Sequence, residues 1–212
     1  MDNKPTYEYD VFISYSRKDI LGQWINDTFF NLFKTYLDNS LSWTPKIFID
    51  TSDIDPGDSW PERLKRAICY SKCMVSIWSP NYFKSGYCRK ECGSMLYREK
   101  MLGYRTTNKP NGLVLPVNIF DGKFFPEIAQ QINWFLCHDY YLDGEGFKKT
   151  ERYVQFQDKM KQWIQGVAQA ISHSPEWDKN WLGDVWWKNS FEYSEKNLQI
   201  VSTSINKKPE WR

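Results

Sequence analysis

Glu91 is the acidic side chain whose neighbours suggest chemistry. It lies in residues 79–95, SPNYFKSGYCRKECGSM, directly after the short apolar run at 73–78, CMVSIW. The apolar run reads as a buried strand. Pro80 suits the first turn of a helix behind it, where its missing N–H costs nothing. On an ideal helix Cys88, Cys92, Met95 and Leu96 form one apolar stripe. Glu91 falls on the edge of that stripe, roughly 60° from Cys88 and 40° from Met95. A carboxylate at the rim of a buried face is partly desolvated, which raises its pKa and suits general-base work or stabilisation of a nearby positive charge. The competing reading is a solvated helix flank, and periodicity leaves both open.

Other residue sets could carry chemistry too. Cys69/Cys73 and Cys88/Cys92 are two pairs of equal spacing, at the loose end of structural zinc sites. However, Cys69 is expected to end a helix and Cys73 to open a buried strand, which favours small buried thiols. The fifth cysteine, Cys137, makes the number odd, which argues against a disulfide framework. Cys88 could act as a nucleophile, but neither His138 nor His173 lies in a motif that ties it to that thiol. Residues 50–58, DTSDIDPGD, hold four acids in turn chemistry. Their order lacks the closing bidentate Glu of an EF-hand loop, so calcium is disfavoured.

The elements that would position these residues alternate along the chain. Residues 9–15 (YDVFISY), 46–49 (KIFI), 73–78, 113–120 (LVLPVNIF) and 133–137 read as strands. Pro116 demotes the fourth of these toward an edge or a bulge. Helices are expected at about 19–37, with Asp19 as N-cap and Trp24, Ile25, Thr28, Phe29, Leu32 and Tyr36 inward. Others are expected after Ser59, over 79–101, at 125–132 and at 151–171. Ser59 and Glu62 have capping-box spacing, and Gly103 supplies a stop. The last helix would bury Val154, Met160, Trp163, Ile164, Val167 and Ile171. Such alternation predicts a mainly parallel sheet with helices on both faces. Its ligand crevice lies at the carboxyl ends of the strands, so the loops at 14–19, 50–58 and 79–87 and Glu91 share one rim.

Composition narrows the function. The chain has 212 residues, 41% hydrophobic, and a net charge of +2 from 28 basic and 26 acidic residues. That balance gives no reason to expect a nucleic acid or an anionic membrane as partner. No run approaches the about 18 apolar residues of a membrane span, and the polar start MDNKPTYEYD has no signal-peptide core. A cytoplasmic protein is expected. No GxxxxGK[ST] or GxGxxG phosphate loop occurs. From 173 to 212 the chain is rich in Trp and without regular period, holding Trp177, Trp181, Trp186, Trp187 and Trp211. Disordered segments are poor in aromatics, so this extension either packs on the fold or forms a contact surface.

Three blocks resemble Toll/interleukin-1 receptor (TIR) domains. YDVFISYSRKD at 9–19 is similar to the family's first strand and loop. Residues 50–60 resemble its BB loop, with Pro56-Gly57. The run Ser79-Pro-Asn-Tyr82-Phe-Lys-Ser85-Gly-Tyr87-Cys88-Arg-Lys-Glu91 resembles the family motif S-x-x-Y-x-x-S-x-W-C-x-x-E, departing at Tyr87. The resemblance covers about residues 7–172. It implies a flavodoxin-like five-stranded α/β fold, and it places the family's catalytic glutamate on Glu91.

Some members of that family are adaptors. Others cleave NAD⁺ at the nicotinamide–ribose bond, yielding ADP-ribose, a cyclic isomer or a conjugate, as in bacterial antiphage signalling. An acid at Glu91 favours the enzyme, with NAD⁺ as substrate and no bound cofactor. The implied binding set is Phe12 or Tyr15 against the nicotinamide, Tyr87 stacked on a base, and Ser14, Ser16 and Arg17 on hydroxyl or phosphate oxygens. Asp50 and Trp60, the ends of the BB loop, complete it. For Phe12 the alternative is a core position, and for Arg17 a pairing with Asp19. Self-association through residues 50–60 and a downstream effector that reads the nucleotide product are the implied partners. A TIR scaffold without catalysis and a nucleoside deoxyribosyltransferase-like enzyme are the alternatives.

Overall fold

A computed structural model describes residues 6–17, 21–49, 62–142 and 144–200. Five strands form one sheet: β1 (Tyr9–Tyr15), β2 (Ile47–Ile49), β3 (Ser71–Trp78), β4 (Val114–Asn118) and β5 (Phe135–Leu136). Their order is β2-β1-β3-β4-β5, and all these pairings are parallel. This is the flavodoxin-like order, in which the chain reverses direction beside β1 and opens a crevice there.

Right-handed crossovers assign the helices to faces. Helix α1 (Leu21–Trp24), a π-turn at Ile25–Phe30 and α2 (Asn31–Asp38) lead from β1 to β2 on one face. Helix α7 (Glu151–Ser172) packs beside α2 on that face. The connection to β3 runs the other way, so α3 (Glu62–Cys69) lies opposite. It shares its face with α4 (Pro80–Lys84) and α5 (Gly86–Met101), and α5 touches β1, β3 and β4. The short α6 (Glu127–Gln130) precedes β5. A 3₁₀ turn at Lys179–Leu182 leads to α8 (Asp184–Asn197), which packs against α5 as an outer layer.

Several local expectations need correction. The first helix is not one uniform element. Its π-turn adds a residue to the winding, so the buried side chains run Trp24, Ile25, Thr28, Phe29 and then Phe33 and Leu37, whereas Leu32 and Tyr36 are only partly buried. The helix over 79–101 is two helices, because Ser85 turns extended (φ −76°, ψ 118°) and starts a second one. Pro116 sits in β4, between β3 and β5, and pairs with Ser76. Strand parity turns its missing N–H toward β5, whose pairing begins only at Val117, so the ladder to β3 is intact.

Val154 is 55% exposed. The inner face of α7 is set instead by Phe156, Met160, Ile164, Val167 and Ile171, and Val154 lies roughly 200° from Phe156. The Trp-rich segment does contain a helix, α8. Its inward residues are Trp187, Ser190 and Ser194, a mixture that no hydrophobic period reveals.

Candidate functional site

The carboxyl ends of β1 and β3 bring three side chains together. Ser14 is the next-to-last residue of β1 and 1% exposed. Its Oγ donates to Glu91 Oε2 at 2.6 Å. Tyr82 OH lies 2.8 Å from the same Oγ. Because the Ser14 proton is committed to the carboxylate, the phenol donates to Ser14. The result is a buried chain, Tyr82 O–H to Ser14 O–H to Glu91. Glu91 itself is 7% exposed, deeper than a position on the edge of the apolar stripe suggests.

Local structure explains the placement. Ser79 caps α4, its Oγ accepting from Tyr82 N at 3.0 Å, and Pro80 stands in the first turn. Ser85 caps α5, accepting from Cys88 N at 3.3 Å. The corner between the two helices aims Tyr82 from α4 and Glu91 from α5 at the end of β1. Cys88, Cys92, Met95 and Leu96 are all buried against the sheet, which fixes the rotation of α5 and hence of Glu91.

The environment is one of low hydration. Burial, and after it the nearby Cys92, Cys88 and Glu91, hold the Tyr82 phenol well above its ordinary pKa. Burial, and then the Glu91 carboxylate, push up the Cys88 thiol. Cys88 Sγ donates to Tyr15 O at 3.6 Å. A neutral thiol in that position is a weak nucleophile. All five cysteines are buried and free, and no metal-binding group of three His, Cys, Asp or Glu exists among the described residues.

The structure separates the other expected site residues. Ser16 is buried at the end of β1, 2% exposed; Tyr15 is half-buried and Arg17 exposed. Tyr87 is 49% exposed and precedes Glu91 by four residues, so it presents its ring on the same helix face one turn nearer the rim. Phe12 does not reach the site. Strand alternation puts it on the face of Ser14 but two residues deeper. There it is fully buried and stacked on Phe48, ring centroids 5.2 Å apart. Asp50, Trp60 and the rest of the loop at 50–60, with its expected role in self-association, lie outside the described residues. Tyr82 was not singled out from sequence, although it is the Tyr of the quoted motif. Among the described residues no helix is long and apolar enough to cross a membrane.

Comparison with known proteins adds four findings. A family model described as TIR domain matches residues 11–152. The chain is 28% identical over 151 residues to the NAD(+) hydrolase TirS of Staphylococcus aureus (strain MSSA476), covering 71% of this chain and 47% of that protein. It is 32% identical over 79 residues to a probable 2′ cyclic ADP-D-ribose synthase, BdTIR, of Brachypodium distachyon, covering 37% of this chain and 35% of that protein. The chain thus spans less than half the length of these curated relatives. Among solved structures, the TIR domain of the Toll-related receptor TRR-2 from Hydra magnipapillata aligns with TM-score 0.44 at 20% identity, over 71% of this chain and 98% of that one.

Proposed function

This chain belongs to the TIR-domain family, and on that premise we propose that it cleaves NAD⁺ at the nicotinamide–ribose bond, with Glu91 as the residue beside the ribose. The observation that carries the reading is the buried Glu91 carboxylate held by Ser14 at 2.6 Å on the ligand-bearing edge of the sheet. Loss of nicotinamide leaves positive charge on the ribose C1′–O4′ unit, as glycoside cleavage does. An oriented carboxylate in a water-poor site stabilises that charge as it develops. It also accepts a hydrogen bond from a ribose hydroxyl. In the hydrolytic course water adds at C1′ and loses a proton, so that NAD⁺ and water give ADP-ribose, nicotinamide and H⁺. Where a hydroxyl or ring nitrogen of the same nucleotide adds instead, the product is a cyclic isomer.

The curated relatives carry names of both kinds, an NAD(+) hydrolase and a probable cyclic ADP-ribose synthase, which supports the reaction class more than either product. We further read the chain as a cytoplasmic signalling enzyme in antiphage defence that self-associates through residues 50–60. Its nucleotide product would act on a separate effector.

The test is release of nicotinamide from NAD⁺ by the purified full chain, with products separated by chromatography and identified by mass. Glu91→Gln keeps the side-chain size and removes the charge. It should cut turnover by about a thousandfold or more with the melting temperature within a few degrees of the parent. A Glu91→Gln protein that still releases nicotinamide at the parental rate would end this reading.

A further inference from the structure

Helix α5 is as closely covered on its outer face as on its inner one. Gly93, Ser94 and Tyr97 point roughly opposite the Cys88–Cys92 stripe, and α8 lies over them. The Ser94 and Ser190 hydroxyls are 3.2 Å apart. The Tyr97 ring meets Trp186 and Tyr193 with centroids at 5.9 and 5.8 Å. At Gly93 the two backbones come so close that a Cβ there would lie 2.4 Å from Ser194 Cβ and 2.9 Å from Ser194 Cα. Glycine is therefore what lets α8 settle at this depth.

Arg89, two residues before Glu91, joins three helices. Its Nη1 donates to Phe83 O of α4 at 2.8 Å. Its Nη2 donates to Glu195 Oε1 of α8 at 3.4 Å, and its own main-chain O accepts from Ser194 Oγ at 2.7 Å. Helix α4 has five residues; a helix that short has no stability of its own and stays where its anchors put it. It carries Tyr82, whose hydroxyl supports Ser14, which in turn holds Glu91.

We infer that Arg89 and Gly93 are positioning residues for Glu91: through them α8 backs the α4–α5 corner and keeps the carboxylate at Ser14. The C-terminal extension is then a working part of the site. This rests on the reading of Glu91 as the residue beside the ribose. The inner face of α5 cannot absorb a displacement, because Cys92 and Met95 are fully buried against the sheet. A wedge at Gly93 therefore lifts α8, releases Arg89, and loosens the corner.

The experiment uses the full chain and three variants: Arg89→Met, Gly93→Ala, and Gly93→Ala combined with Ser194→Gly. Two quantities are read, the kcat and KM of nicotinamide release and the rate at which iodoacetamide modifies Cys88 in the folded protein. Arg89→Met and Gly93→Ala should each lower kcat about tenfold to a hundredfold, as an ångström-scale misplacement does, with KM within about twofold. Cys88, 5% exposed under the corner, should be modified about tenfold faster. Ser194→Gly removes the Cβ and Oγ that the new methyl meets but not the Cα, so it should restore part of both. Parental kcat together with parental Cys88 modification in both single variants would overturn the inference. So would a loss of kcat that only follows a fall in melting temperature and that Ser194→Gly does not relieve. Should the parent chain release no nicotinamide at all, the reading of Glu91 fails. The Cys88 rates still decide whether α8 holds the corner: faster modification supports the clamp and unchanged modification refutes it.

Discussion

A hydroxyl donor orients a carboxylate without neutralising it, which is what the proposed role of Glu91 asks of Ser14. Ser14→Ala removes that donor and leaves the carboxylate in place. Hydrogen bonds to charged groups are worth about 1.5–3 kcal/mol, so kcat/KM for nicotinamide release should fall roughly tenfold to a hundredfold. Steady-state kinetics on a folded Ser14→Ala protein checks this; an unchanged kcat/KM would remove Ser14 from the site. Phe12 makes the opposite case. Buried and stacked on Phe48, it is a core residue of the sheet. Phe12→Ala should cost about 3–5 kcal/mol of stability in urea unfolding while KM for NAD⁺ in the surviving folded protein moves little. The family resemblance named both Phe12 and Ser14 for the site. Phe12 and Ser14 share a strand face, and the cover supplied by Phe48 tells them apart.

At the scale of elements, the break at Ser85 decides where Glu91 points. A continuous helix over 79–101 would carry Tyr82 and Glu91 on one rod, nine residues and roughly 180° apart. Two capped helices meeting at a corner turn both toward Ser14. The cap that starts α5 is the Ser85 Oγ accepting from Cys88 N, so Ser85→Ala should lower stability by about 1 kcal/mol, read from urea midpoints at constant m-value. A larger drop in activity than in stability would show that the corner, and not the helix alone, depends on this residue. The chain pattern marked neither Ser79 nor Ser85 as a cap. That the second restarts a helix, and does not sit inside one, is seen only in the folded chain, where Arg89 Nη1 donates to Phe83 O across the corner. The π-turn at Ile25–Phe30 is similar: a period of 3.6 was legible there, but the added residue that moves the stripe to Phe33 and Leu37 was not.

At the scale of the molecule, the C-terminal segment closes the hydrophobic core. Trp181 lies 3.9 Å from the Arg98 guanidinium, which is fully buried and donates to Ser71 O and Ile68 O at 2.9 Å each. The Cys69 thiol donates to Trp181 O at 3.0 Å. Burial pushes the Cys69 and Cys92 thiols up to about 12. The folded chain therefore keeps protons that the unfolded chain releases near the ordinary thiol pKa of about 8.5. Stability is full below that value and falls as pH rises toward the folded pKa, because the native state then binds more protons than the unfolded one. Melting temperatures should hold from pH 7 to about 8.5 and decline steadily above it. Cys92→Ala should flatten the decline. A melting temperature that stays level to pH 10.5 would contradict this account of the buried thiols.

Residue order alone supplied the strand–helix alternation, the parallel α/β class and the carboxyl edge of the sheet as the expected crevice; it left Glu91 between a solvated flank and a site, and the family resemblance singled it out. The alternation and the sheet class follow from side-chain period and turn chemistry, which act over a few residues. The depth of Glu91, its partnership with Ser14 and Tyr82, the exclusion of Phe12 and the seating of α8 on α5 needed the folded chain. Each joins residues tens of positions apart, and each depends on which surfaces are removed from water together. The outer face of α5 shows why: Gly93, Ser94, Ser190 and Ser194 look solvent-facing in the chain and become a helix interface only because their small size lets two backbones meet.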